Sequence, residues 1–96
     1  MKQPTTIPQP INPYIMNTQP RPIHQIAVDI RLSWLKPYFG AVPYIEAMQT
    51  IDSIHDRYYY DTAESVVRYF LANAGTWRGE DAKRIKAELN SQLKTL

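Results

Sequence analysis

The side chains best able to do chemistry in this 96-residue chain are four cations near its C-terminal end, Arg78, Lys83, Arg84 and Lys86. They recur on the polar side of an amphipathic segment that follows a turn, the placement by which a helix-turn-helix offers contacts to DNA. Glu80, Asp81 and Glu88 interrupt that basic surface, and Glu80 with Arg84 has the i,i+4 spacing of a solvated ion pair. The glycine and small residue of a DNA-binding turn do not fall at the required offsets. A solvated amphipathic face is the simpler reading, and a small nucleic-acid-binding regulator is the alternative.

Other chemistry has less to build on. The chain has no cysteine, which excludes disulfides, thiolate catalysis and cysteine-based zinc sites together. His24 and His55 are the only histidines. Asp52 and Asp56 lie near His55 in sequence, but one imidazole with two carboxylates does not make a recognisable metal-ligand set. Asp29, Glu46 and Glu64 fall on three separate predicted helices, and nothing in their spacing requires them to meet as an acid–base pair. The chain therefore reads as a non-enzyme, with no catalytic, metal or cofactor-binding residues.

Aromatic residues offer a different kind of site. Trp77 and Arg78, types enriched at interface hot spots, sit beside the turn, where the tryptophan either staples two helices together or anchors a partner. Exposure of Trp77 separates the two readings. Tyr58, Tyr59 and Tyr60 cannot all be buried by one helix face, so at least one ring should meet water. Tyr14 lies in a proline-rich N-terminal arm, where Ile7, Ile11, Ile15 and Met16 are further apolar groups that a purely solvated tail would not need.

The elements that must position these residues are legible in the apolar period. Ile23, Ile26, Ala27, Ile30 and Trp34 recur at helical spacing, with Val28, Leu32 and Leu35 widening the stripe, so the first helix should face apolar groups on two sides. Pro37 should stop it near Leu35 or Lys36. Pro43 suits the opening turn of a second helix with Tyr44, Ile45, Met48 and Ile51 on its buried stripe, ending near residues 50 to 53. Residues 53 to 60 then connect through a further helical turn. Asp61 and Glu64 have capping-box spacing at the start of a third helix. Gly75 should close that helix in the left-handed conformation, and Thr76 should cap a fourth within about two residues. Ala82, Ile85, Leu89 and Leu93 form the fourth helix's apolar side, and Glu80 and Asp81 suit its positive N-terminal end.

Residues 1 to 22 are a separate regime. They hold six of the eight prolines and no acidic residue, so the arm should be extended or polyproline-like. From Ile23 onward nine Lys or Arg balance nine Asp or Glu, so the net charge of +2 resides in the arm. Net charge alone supplies no long-range attraction to nucleic acid or anionic membrane. No apolar run reaches the ~18 residues of a membrane span and no signal-peptide core opens the chain, which makes a soluble cytoplasmic protein the expectation.

Two long motifs, YFGAVPYIEAM at Tyr38 to Met48 and YFLANAGTWRGEDAKRIKAEL at Tyr69 to Leu89, resemble a group of short proteins of bacteriophages and other mobile elements. The intervening DSIHDRYYYDTAES continues the resemblance, and the arm has no part in it. The resemblance implies an accessory protein that binds a host or phage protein, a component of host defence or transcription among them. It brings no activity or site residues with it.

The combined expectation is an all-α, compact four-helix domain over 23–96 behind an extended arm over 1–22. Its function is that of a non-enzymatic protein-binding module. The contact surface would join Tyr14 of the arm to Tyr58, Tyr59, Tyr60, Trp77 and Arg78, with a homodimer through the arm as a variant.

Overall fold

Ile23, Ile26, Ala27 and Ile30 are all fully buried along one face of helix α1 (Ile23–Ser33) in the computed structural model, which describes residues 20–96. Tyr14 and the dimer proposed through the arm lie outside the described residues. A single 3-10 turn (Phe39–Ala41) leads into helix α2 (Val42–Met48), which has proline in its opening turn as its sequence predicts. A short antiparallel hairpin, β1 (Arg57–Tyr58) with β2 (Asp61–Thr62), precedes helix α3 (Ala63–Ala72), and helix α4 (Glu80–Leu93) follows. The register pairs Arg57 with Thr62 and Tyr58 with Asp61.

Helix α1 packs on α2 and α4, α2 on α3, and α3 on α4, so the four helices close into a ring. Each helix in such a ring keeps one outward side. Val28, Leu32 and Leu35 occupy that side of α1 and its extension and are exposed, Leu32 by 73%. The expected second apolar face is therefore a solvent face, and α1 ends at Ser33, before Leu35. The inward residues from all four helices form one cluster, joined by Ile51 and Ile54 from the α2–β1 connection. Burying each such aliphatic side chain contributes roughly 1.5–3 kcal/mol.

The start of α1 is satisfied without a side-chain cap. Its amides at Ile23 and His24 donate to the carbonyls of Asp52 and Ile51 at 2.7 and 2.8 Å, so main chain from after α2 replaces the missing cap. Residues 53 to 60 form no additional α-helical turn; the connection enters the hairpin, where Tyr59 adopts φ 54°. The cap of α3 is Thr62, whose Oγ1 accepts from the Ser65 amide at 3.1 Å, one residue after the expected Asp61. Asp61 is instead used by the β2 strand.

The α3–α4 corner is longer than the two residues expected. Helix α3 stops at Ala72, and α4 does not begin until Glu80. Gly75 does not adopt a positive φ; Gly79 does, at φ 110° and ψ −177°, an extended conformation distinct from the left-handed helical one, and Gly79 takes the place predicted for Thr76 before α4. Trp77 explains the extra length. It turns inward and stacks on Trp34 with ring centroids 5.3 Å apart and planes 7° apart, while Phe70 meets both indoles edge-on at 6.3 Å. The longer corner carries that ring back to the end of α1.

Two stability effects follow. Trp77→Ala should cost about 3–5 kcal/mol in urea unfolding, because it empties the centre of a three-ring cluster. Gly79→Ala should cost about 1–3 kcal/mol by the same measurement, through its backbone conformation alone. No residue side chain crowds that position: a Cβ there would have no neighbour within 4 Å.

Candidate functional site

The four cations singled out by the sequence divide into two groups. Arg84 is committed to structure. Its guanidinium donates to both carboxylate oxygens of Asp29 at 3.1 and 3.3 Å and to Asp81 at 3.1 Å. The helical partner is thus Asp81 at i−3 and not Glu80 at i−4, the pair expected from spacing.

Asp29 also receives Arg21 at 3.2 Å, and Arg21 donates through Nε and a terminal nitrogen to the two oxygens of Glu88 at 2.7 and 2.6 Å. A continuous ladder runs Glu88–Arg21–Asp29–Arg84–Asp81, tying the residues before α1 to α1 and α4. Buried Gln92 adds a donor to the Arg21 carbonyl at 3.0 Å. Arg21, assigned by composition to the arm, is thereby bonded into the helical body. The hydrogen bonds from Arg84, then the one from Arg21, hold the Asp29 carboxyl below its usual range against the opposing effect of burial.

Arg78, Lys83 and Lys86 form the second group. They line one open cleft of about 350 Å³ beside the α3–α4 corner, with Trp77 and Ala82 contributing its apolar wall. Among the described residues no carboxylate lies within ion-pair distance of these three. Lys86 is half-buried and held in place. Its Nζ donates to the Trp77 carbonyl at 2.7 Å and stands 5.9 Å from the centroid of the Trp77 ring. Trp77 itself is 3% exposed, so the stapling role is the one its position supports.

The tyrosine run is split. Tyr58 is half-buried against the core, with the Tyr59 ring edge-on to it at 4.8 Å. Tyr59 and Tyr60 stand at the hairpin tip, 84% and 100% exposed. Tyr58 to Tyr60 and Trp77 lie beyond opposite ends of α3, a helix of about 15 Å. The sequence-based expectation joined them in one surface; the fold does not bring them together.

Further exposed aromatics stand at the Trp77 end: Tyr38 and Phe39, which the sequence marks as an aromatic turn, and Tyr69, which sequence reasoning missed. Tyr38 and Phe39 pack on each other at 4.7 Å, and exposed Tyr69 packs on Tyr44 at 5.6 Å. Gly40 lets the Tyr38 ring and the Asn73 side chain both pack against the main chain, since a Cβ there would sit 2.6 Å from the Tyr38 ring and 2.9 Å from Asn73 Oδ1. The only signal available was the YFG turn, because Tyr69 reads as an ordinary helical position.

The candidate carboxylates are each engaged by a different set of arginines. Asp29 binds Arg21 and Arg84, Glu46 lies 3.9 Å from Arg31, and Glu64 accepts from Arg68 at 3.0 Å. His24 Nε2 is 3.7 Å from Asp52 Oδ1, beyond hydrogen-bond distance, with both side chains exposed. Asp56 accepts from the Ser53 amide at 2.9 Å and so shapes the loop after Asp52. Among the described residues no group of three His, Asp or Glu is placed to hold a metal ion, and no helix is long and apolar enough to cross a membrane. No protein-family model, curated protein or solved structure matches the chain.

The ladder has a pH signature. Because the folded Asp29 carboxyl titrates below its unfolded value, its contribution is complete above the ordinary carboxylate range and is lost as pH falls through the depressed pKa. Asp29→Asn should therefore lower stability by about 1 kcal/mol at neutral pH. Urea unfolding should show the two proteins converging in strong acid; a difference unchanged by pH would contradict the assignment.

Proposed function

We propose that the protein is a non-enzymatic protein-binding module and that the Tyr59–Tyr60 hairpin tip is its principal contact. The observation that carries this reading is the backbone of Tyr59. A tyrosine at φ 54° incurs a steric cost that glycine or asparagine would avoid, and the same geometry leaves two neighbouring rings almost wholly in water. Such a cost, borne at an exposed position where the ring supports little of the core, is typical of a residue retained for contact. Tyrosine suits the purpose, since it provides a large rigid surface and a hydroxyl with few rotatable bonds.

The resemblance to short phage and mobile-element proteins supplies a setting for the proposal. The module would act in the host cytoplasm on a host or phage protein, with components of host defence among the partners to examine. A nucleic-acid-binding regulator ranks second. Arg78, Lys83 and Lys86 share a surface, which favours it, but Arg84 is withdrawn into the ladder and the Trp77 ring is packed in the core.

The test uses substitutions that spare the fold. Tyr59→Gly should keep stability within about 1 kcal/mol of the native chain, because glycine accepts the left-handed conformation. Combined with Tyr60→Ala, it should abolish the specific partner recovered by affinity capture from a lysate of the native host. Undiminished capture by the folded double variant would contradict the reading.

A further inference from the structure

We infer that the cleft between the α3–α4 corner and α4 is a second docking site, and that it takes an acidic segment of a protein partner. The inference rests on the protein-binding reading only for the class of partner. Its residues are distinct from the hairpin tip.

Charge is the first argument. Arg21, Arg31, Arg68 and Arg84 are each paired with a carboxylate; among the described cations without one, which include Lys36, Arg57 and Lys94, Arg78, Lys83 and Lys86 are the three that line one cleft. Three like charges around a common space repel one another, and an entering carboxylate relieves that repulsion while gaining charge-assisted hydrogen bonds. The cleft is also prepared for an anion. Lys86 is immobilised by its bond to the Trp77 carbonyl, so part of the ordering cost of binding is already met.

The shape of the wall argues for a polypeptide. Gly75 and Gly79 both border the cleft, and a Cβ at either would meet nothing within 4 Å, so the main chain there is open to an incoming strand or turn. Ala82, itself buried, forms the floor between the charges.

Nucleic acid fits less well. Binding a strand along its length calls for a cationic track and accessible rings for base stacking. Here the cationic run is broken by Glu80 and Asp81, Arg84 is bound to Asp29 and Asp81, and Trp77 is covered on one face by Trp34. The three cations suit a short cluster of Asp and Glu side chains.

The experiment uses the full chain and three fluorescein-labelled probes of matched length: poly-glutamate, poly-glutamine and oligo-dT. Fluorescence anisotropy reads affinity, and amide chemical shifts read location. Poly-glutamate should shift the amides of Gly75, Gly79 and Lys83, and R78E/K83E should weaken it about tenfold or more with the circular dichroism of the fold unchanged. R78Q/K83Q, which removes charge without reversing it, should weaken it in the same direction. K94E and Y59G/Y60A should leave it unaltered, which separates this site from the hairpin contact. The inference is overturned by an absence of shifts at millimolar poly-glutamate, by equal binding of poly-glutamine, by equal or tighter binding of oligo-dT, or by indifference to both double variants.

Discussion

The parallel stack of Trp34 on Trp77 is the contact on which the rest of this small fold depends. It joins the end of α1 to the connection between α3 and α4, and Phe70 locks the pair from α3. An aromatic pair of this kind is worth ~0.5–1.5 kcal/mol beyond the area it buries. Its larger effect is geometric. Drawing Trp77 inward lengthens the corner, forces Gly79 into a conformation that only glycine tolerates readily, and delays α4 to Glu80. The Trp77 carbonyl then anchors Lys86, so one buried ring sets both the fold of the corner and the charge lining of the cleft beside it.

A second set of contacts secures the other end of the ring. The amides at the start of α1 reach carbonyls after α2, while Arg21 and Gln92 connect the residues before α1 to α4. This polar clasp decides which charges remain available. Arg21 and Arg84 are taken up by Glu88, Asp29 and Asp81, while three cations without a carboxylate partner among the described residues, Arg78, Lys83 and Lys86, share the cleft beside Trp77. A body with balanced formal charge thus acquires a local basic site without becoming a basic protein. The hairpin tyrosines lie beyond the far end of α3, so the two exposed features are separated by the core that supports them.

The helices were legible because burial repeats with the helical period. Ile23, Ile26, Ala27 and Ile30 on α1, and Ala82, Ile85, Leu89 and Leu93 on α4, face inward as their spacing predicts. Spacing alone does not say how many neighbours a helix has, which is why Val28, Leu32 and Leu35 were expected inside and are exposed. The corner departs from its local signals for a related reason. Gly75 and Thr76 carry valid local stop and start signals, but the tertiary demand of placing Trp77 against Trp34 overrides them. Glu80 and Asp81 do occupy the first turn of α4, where the helix dipole favours them. The hairpin, the Arg21 clasp and the choice of Asp81 over Glu80 as partner for Arg84 all depend on contacts distant in sequence or on side-chain rotamers, which no local pattern contains.

Acrylamide quenching of tryptophan fluorescence tests the central claim, that Trp77 is an interior residue that builds the corner and not a surface anchor. Trp34 and Trp77 are the only tryptophans, at 9% and 3% exposure, so the emission reports on this stack alone. The account predicts weak quenching of the native full-length protein and a marked rise on unfolding in urea. Quenching of the native protein as strong as that of the unfolded chain would contradict it.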